Sequence, residues 1–409
     1  MATDQTFVIV GAGLAGAKAA ETLRAEGFEG RVVLVGAEQD RPYERPPLSK
    51  GYLLGQEERA KVFVHDEGWY AENSVDLLVG RRVTRLDRAA SSVELDGGER
   101  IGYDQLLLAT GAVPRRLPVP GGDLGGVHYL RRLADSDAMR DAFKSGGRVV
   151  VVGAGWIGLE AAAAARTYGC EVTVVEPNPT PLYVALGPEM GAFFGDLHRR
   201  HGVDLRQGVG VTGFAGDGRV SAVTTAEGTL PADAVVVGVG VRPDTELAET
   251  AGLAVDDGVV VDESLRTSDP DVYAVGDVAS RWSPRYGRRI RLEHWANALH
   301  GGPAAAKSML GQELDHDDPP YFYTDQYDVG MEFVGWFAPG GYDRVVTRGD
   351  VDGQAFHAFW LAAGRVVAGM HVNLWDDGIE PVRQLIRGGA QVDPDRLADT
   401  STPLPVTAG

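Results

Sequence analysis

Two runs of uninterrupted apolar residues organise the chain, FVIV at 7–10 and VVVV at 149–152. Each passes into a glycine-rich turn and then an alanine-rich stretch, reading FVIVGAGLAGAKAAETL from Phe7 and VVVVGAGWIGLEAAAAA from Val149. Gly11 matches Gly153 at an offset of 142 positions. A further β-rich run follows each unit, at 31–35 and at 171–175. Short apolar runs bounded by glycine suit strands buried on both faces, as a parallel sheet requires. Strand, turn, helix and strand, twice over, predict two doubly wound α/β domains.

Three more apolar runs end in turns. LLLATGAVPR (106–115) enters Gly111 and Pro114, 234–238 enters GVGVRPD (238–244), and 272–275 enters Gly276-Asp277. From residue 319 the texture changes. Short strands are predicted within 321–337, 354–359 and 366–370, then a helix near 378–386, and an irregular tail after Val392 rich in Pro, Asp and Thr. The fold class is therefore α/β, with two dinucleotide-binding domains and a C-terminal α+β domain. The boundaries fall at 1–112 with 243–318 for the first, 113–242 for the second, and 319–409 for the third.

The glycine turns carry the chemistry. In Gly11-Ala-Gly13-Leu-Ala-Gly16 the first glycine permits the tight turn and the second lets a pyrophosphate approach the backbone. The third lets the helix lie close on the strand. The helix N-terminus then presents its partial positive charge to the phosphates. Gly153, Gly155 and Gly158 repeat the pattern. An acid about 20 residues on would take a ribose hydroxyl pair. Glu176 follows Gly158 by 18 positions, and Glu38 follows Gly16 by 22. One such turn is a weak signal; two, each between a strand and a helix, are a strong one. A carboxylate at Glu176 repels the 2′-phosphate of NADPH, and no Arg or Lys stands between Pro177 and Asp196 to receive it, which favours NADH. A solvated acid at a strand end is the plainer alternative for Glu176.

Composition narrows the classes. The 409 residues are 44% hydrophobic and carry a net charge of −19, which disfavours nucleic-acid and anionic-membrane binding. The longest apolar runs are too short to span a bilayer, and the short polar start leaves no signal peptide, so a cytoplasmic location is expected. Cys170 is the single cysteine, so neither a redox-active Cys pair nor a Cys-based metal cluster can form; a buried structural thiol is expected. His198 and His201 stand three apart with no third ligand in sequence reach, so they read as a solvated helix face rather than a metal site.

The whole chain resembles the FAD-dependent pyridine-nucleotide oxidoreductases. More narrowly it is similar to the NADH-dependent ferredoxin reductases that serve bacterial haem-thiolate monooxygenases and ring-hydroxylating dioxygenases. The two glycine turns, ATGAVPR (109–115) and AVGD (274–277) carry the broad resemblance. PPLSK (46–50) within YERPPLSK (43–50) and EHWANA (293–298) carry the narrower one, and TDQY (324–327) and VDPDRLAD (392–399) match as well.

The resemblance implies roles residue by residue. Gly11, Gly13, Ala15 and Gly16 would hold FAD through backbone, with Ala109 and Gly276 beside it. Asp277 would bond the ribityl chain, although a helix N-cap is its local alternative. Arg45 and Lys50 would approach FAD, Arg131 its phosphates, and Val83 its adenine by backbone. Trp295 would lie beside the flavin ring, or else be a core aromatic. Lys50 would pair with Glu160 near that ring, where a cation stabilises reduced flavin; a solvated Lys50 is the alternative. Gly153, Gly155, Ile157, Gly158, Glu176 and Gly240 would hold NADH. Some relatives have an acid where Ala37 stands, so Glu38 must hold the FAD ribose or the contact is missing. Tyr323 stands where close relatives can have Trp, on the expected ferredoxin side.

The function so implied is electron transfer from NADH through FAD to a two-iron two-sulfur ferredoxin, with the chain a monomer or weak dimer. A flavin suits that task because it bridges a two-electron donor and a one-electron acceptor. Arg281, Arg285, Arg288, Arg289 and Arg291 precede EHWANA and form a candidate docking patch for an acidic ferredoxin, or merely a solvated loop. A rubredoxin reductase or an NADH oxidase is the rival enzyme. An NADH-sensing signalling flavoprotein is the rival of another class.

Overall fold

The computed structural model describes residues 4–314 and 318–405. The chain packs as two units. The first comprises Met1–Arg45, Glu58–Val113 and Val241–Asp318, and the second Pro46–Glu57, Pro114–Gly240 and Pro319–Gly409.

The first unit is built on a five-stranded parallel sheet. Its order is Val272–Ala274, Gln105–Leu108, Thr6–Val10, Arg31–Val35, Val75–Leu78. Val8, Ile9, Val32, Leu34, Leu106 and Leu107 are wholly buried, as the uninterrupted apolar runs require of strands covered on both faces. The helix Leu14–Ala25 packs along Trp295–Met309. Small residues make that approach possible: a Cβ on Gly302 would stand 2.4 Å from the Ala15 carbonyl oxygen.

The second unit repeats the design. Its parallel sheet runs Asp204–Gln207, Glu171–Glu176, Arg148–Val152, Ala234–Val237, Val127–His128. Helices Leu133–Lys144, Trp156–Thr167 and Tyr183–Arg200 belong to it, the last broken at Gly187 where φ is 79°. The segment Pro46–Glu57, inside the 1–112 stretch of the sequence boundaries, packs in this unit. Ser136 Oγ donates to the Leu48 carbonyl at 2.8 Å and Tyr168 Oη to the Leu53 carbonyl at 3.0 Å, and Leu53 is fully buried.

The C-terminal part of the same unit is a five-stranded antiparallel sheet. Its order is Tyr321–Gln326, Val329–Gly335, Arg365–Val372, Ala355–Ala362, Arg344–Asp350. One face meets the helix Tyr183–Arg200, where Trp360 Nε1 donates to the Leu186 carbonyl at 3.0 Å and Phe193 packs edge-on against Phe356. The helix Glu380–Gly388 covers the other face with Val382, Leu385 and Ile386. Two sequence expectations change here. The strand Arg344–Asp350 was not foreseen, because its RVVTRGD pattern is mostly polar, as an edge strand's can be. The tail expected to be irregular contains a short helix, Pro394–Ala398, capped by the Asp393 carboxylate accepting from the Asp395 and Arg396 amides. Residues 406–409 of the predicted third domain lie outside the described residues.

Candidate functional site

In the first unit the glycine turn joins Thr6–Val10 to Leu14–Ala25. Gly11 has φ +116°, and a Cβ there would lie 2.1 Å from the Ala109 carbonyl oxygen. A Cβ on Gly16 would lie 2.1 Å from the Gly11 carbonyl oxygen. Both are therefore demanded by the fold. Gly13 differs, since nothing stands within 4 Å of where its Cβ would be. It is the helix N-cap, no side chain caps the helix, and the first turn holds no acid. A helix start with uncapped amides and open space before it fits a pyrophosphate.

The second unit reproduces this. Gly153 has φ +95°, with a would-be Cβ 2.5 Å from the Gly238 carbonyl oxygen, and that of Gly158 would lie 2.0 Å from the Gly153 carbonyl oxygen. Gly155 meets only an ordinary contact at 3.9 Å and is again an N-cap without a side-chain bond. Ile157, the second residue of that helix, is 41% exposed. Gly240 also has positive φ, at +89°.

The acids take different postures. Glu38 accepts from Tyr43 Oη at 2.5 Å and from Arg45 Nη2 at 3.1 Å, so Glu38 and Arg45, both singled out from sequence, meet. Burial works against the Arg45 charge, but Tyr43, Glu38 and Asp277 together raise its pKa above the ordinary value. Asp277 lies within a 3-10 turn, Gly276–Val278, so it caps no helix at Val278. Val275, Gly276, Ala279, Arg281, Asn297 and Gly301 line a cavity beside that turn. Trp295 is half-buried at the start of its helix, and its Nε1 donates to Glu44 Oε2 at 3.0 Å. Ala15 and Ala109 are buried beside the first turn, and Val83 begins an antiparallel strand, Val83–Asp87.

Glu176 is buried at the end of its strand, with both oxygens engaged. Oε2 accepts from the Ala154 amide at 2.6 Å, and Oε1 from the Asn178 amide at 2.8 Å and Nδ2 at 2.6 Å. It is not a solvated strand-end acid. Asn178 was not foreseen, since a polar residue after a strand has many ordinary uses.

Lys50 and Glu160, 110 positions apart, form an ion pair at 2.5 Å in the second unit. Neither is a solvated charge: their side chains are 15% and 3% exposed. Ser49 Oγ donates to Glu160 Oε2 at 2.5 Å and Thr324 Oγ1 to Oε1 at 2.6 Å. Ser49 and Thr324 stand in the PPLSK and TDQY runs, whose roles no local pattern discloses. Lys50 Nζ also lies 5.4 Å from the centre of the Tyr323 ring. Arg131 belongs to the second unit, where Asp135 accepts from its amide at 3.0 Å.

Two expectations fail or narrow, and that of a buried thiol at Cys170 is met. His198 is not on a solvated face. It is fully buried, with Nε2 2.9 Å from Gln326 Oε1, while His201 stacks on Tyr327 at 3.7 Å. The i,i+3 helical spacing placed both on one face, but the antiparallel sheet covers it. The arginine patch divides: Arg289 donates to the Val261 and Ser280 carbonyls at 2.6 and 3.1 Å. Arg291 is largely buried beside Asp257 and Glu293, at 3.3 and 2.7 Å. Arg288 is exposed. Cys170 is buried, which raises its pKa, and Sγ bonds the Phe143 carbonyl at 3.4 Å.

Comparison with known proteins agrees with this geometry. Residues 5–302 match the pyridine nucleotide-disulphide oxidoreductase family and 321–408 the reductase C-terminal domain. The chain is 41% identical over 401 residues to rhodocoxin reductase of Rhodococcus erythropolis, covering 98% of this chain and 93% of that protein. It is 39% identical over 416 residues to putidaredoxin reductase of Pseudomonas putida, covering 99% and 97%. A solved covalent putidaredoxin reductase–putidaredoxin complex superposes with a TM-score of 0.94 at 39% identity, covering 98% of this chain and 97% of that one. Among the described residues no helix is long and apolar enough to cross a membrane. With two glycine cradles, no cysteine pair and an antiparallel C-terminal sheet, the chain belongs to the pyridine nucleotide-disulphide oxidoreductase family.

Proposed function

We propose that the chain is an FAD-containing, NADH-dependent ferredoxin reductase. The observation that carries it is the pair of cradles whose first and third glycines the fold requires and whose second glycines meet no close contact. FAD would occupy the cradle at Gly11–Gly16 in the domain 1–112 with 243–318, and NADH the cradle at Gly153–Gly158 in 113–242. FAD held there would supply acceptance of two electrons from NADH and their release one at a time to an iron–sulfur carrier. The protein's part is to bind, orient and bias charge. Arg45 and Glu38 would hold FAD on the first unit, with Ala15, Val83, Ala109, Gly276, Asp277 and Trp295; Arg131 would serve its phosphates. Glu176, fixed by three N–H donors, would accept the NADH ribose hydroxyls and repel a 2′-phosphate, with Ile157 and Gly240 beside the dinucleotide. Lys50, held by Glu160, would favour negative charge on the reduced flavin.

The partner we infer is a two-iron two-sulfur ferredoxin that feeds a monooxygenase or dioxygenase. The names of the relatives support this, since they include ferredoxin–NAD(+) reductase components of dioxygenase systems. A cytoplasmic monomer or weak dimer, without nucleic-acid or membrane partners, completes the reading.

Stopped-flow reduction of the flavin by NADH, followed by mixing with such a ferredoxin, tests it. Rapid reduction and transfer to ferredoxin much faster than to oxygen or rubredoxin is expected. Faster transfer to oxygen or rubredoxin would favour the rival enzymes, and slow turnover with a long-lived charge-transfer complex would favour the signalling reading.

A further inference from the structure

Glu160 is the end of a longer chain of side chains. Beyond Thr324, whose hydroxyl meets Glu160 Oε1 at 2.6 Å, Gln326 Nε2 lies 3.2 Å from Thr324 Oγ1. Gln326 Oε1 lies 2.9 Å from His198 Nε2, and the Tyr327 hydroxyl lies 3.3 Å from His198 Nδ1. Thr324, Gln326 and His198 are each at most 1% exposed, so each unmade bond would be costly.

Elementary counting of donors fixes the protons. Glu160 already accepts from Lys50 and Ser49, so as a carboxylate it only accepts, and the one Thr324 proton goes to it. The Thr324 oxygen then needs a donor, which sets the Gln326 amide with nitrogen toward Thr324. The Gln326 oxygen therefore needs a donor in turn, so His198 must carry its proton on Nε2. Its Nδ1 is left to accept from Tyr327. All the donors point one way, toward Glu160, and such chains strengthen one another. The chain requires a neutral imidazole, and burial pushes His198 down to about 4.

We propose that His198, Gln326 and Thr324 form a one-way hydrogen-bond chain that positions the Glu160 carboxylate and, through it, the Lys50 ammonium. They are positioning residues for reduction by NADH. This rests on the reading of Lys50 and Glu160 as the flavin-side pair. A buried polar chain is an expensive way to fill a core that Val or Leu would fill more cheaply, and its terminus on the ion pair supplies the reason for it.

The test uses the FAD-loaded protein and three readouts. They are the limiting rate and half-saturation of flavin reduction by NADH, the flavin midpoint potential, and the tautomer of His198 by ¹⁵N-histidine spectra, with His198→Asn to assign the signal. Thr324→Val keeps the shape and removes the hydroxyl, and Gln326→Leu cuts the next link. Thr324→Val should lower the limiting rate about tenfold, the effect of losing one hydrogen bond to a charged group, and Gln326→Leu should lower it by less. The potential should shift to more negative values while the half-saturation stays unchanged. Thr324→Ser should restore both rate and potential. His198 should show the proton on Nε2.

Unchanged rate and potential in Thr324→Val, or equal slowing in Thr324→Ser, overturns the proposal. So does an Nδ1 proton on His198, a result independent of how any other variant folds. Lys50→Met separates the two levels. If it slows reduction while Thr324→Val does not, the chain alone is wrong. If Lys50→Met changes neither rate nor potential, the flavin-side reading falls and the chain with it.

Discussion

Gly11, Gly13 and Gly16 are one residue type in the sequence and have different physical work. A methyl group at Gly16 would overlap the Gly11 carbonyl, and one at Gly11 would overlap the Ala109 carbonyl on a backbone that already has positive φ. A methyl group at Gly13 would meet only open space. Gly16→Ala is therefore expected to destabilise the FAD-free protein by about 1–3 kcal/mol, the usual cost of overpacking. Gly13→Ala should leave its unfolding midpoint unchanged and weaken FAD binding at least about tenfold, a loss of ~1.4 kcal/mol. Unfolding curves of the FAD-free variants and FAD titrations read the two effects separately. Equal destabilisation by both would show that the second glycine too is kept for the fold. Lys50 and Glu160 illustrate the opposite case. Nothing local in PPLSK or in the alanine-rich helix says that these charges meet; the resemblance said so, and the ion pair forms at 2.5 Å. Breaking a buried pair of this kind costs about 3–5 kcal/mol. Lys50→Met, which leaves Glu160 buried without its cation, is thus a probe of stability as well as of chemistry.

At the scale of elements, the repeated strand–turn–helix–strand units were legible because a parallel sheet buried on both faces needs uninterrupted apolar strands. The C-terminal sheet was legible only in part. Its strands carry polar residues in register: Tyr323, Glu332, His371, His357 and Arg348 stand opposite one another across the five strands. That row breaks the apolar alternation from which strands are read. Its partners appear only on pairing, as with His371 Nε2 and Glu332 Oε2 at 2.7 Å. Arg348, at the end of the row, also holds the tail. Its guanidinium donates to the Asp399 and Thr402 carbonyls at 2.5 and 2.8 Å, and to those of Leu397 and Thr400 at 3.4 and 3.3 Å. Arg348→Met should release the segment 394–402 with a loss of about 1–3 kcal/mol of local stability. Limited proteolysis reads it as faster cleavage there, with the remaining pattern unchanged. If cleavage is no faster, the tail is held by the packing of Leu397 instead.

At the scale of the whole molecule, charge sets two expectations. His198 and His357 are buried with pKa values pushed down to about 4, burial being the first cause in each. They are neutral when folded and take up protons near 6.5 when unfolded. Their contribution to stability is thus full above about pH 6.5 and is lost as the pH falls toward 4, on the order of 3 kcal/mol for each group. Denaturant unfolding between pH 7 and pH 4 should show this fall. His357→Phe should make it shallower, and an unchanged slope would count against a neutral His357. The second expectation concerns docking. The net charge of −19 opposes an acidic ferredoxin at long range, so a local cation must guide it. Arg288 is exposed, whereas Arg281, Arg285, Arg289 and Arg291 are part-buried, so Arg288 is the candidate. Arg288→Glu should slow ferredoxin reduction roughly threefold, the effect of ~0.7 kcal/mol, at unchanged turnover of NADH with ferricyanide. Equal loss in both assays would remove the docking role. By itself the sequence determined the two cradles, the absence of a redox-active cysteine pair and the fold class. Glycine geometry, apolar periodicity and the count of cysteines are local properties that need no partner to be read. Only the tertiary structure decided which charges are buried in pairs, that His198 is a covered core residue, and how the arginine patch divides. The first two depend on contacts between segments more than a hundred positions apart and the third on packing within 257–293, and no local pattern encodes which surface a later strand will cover.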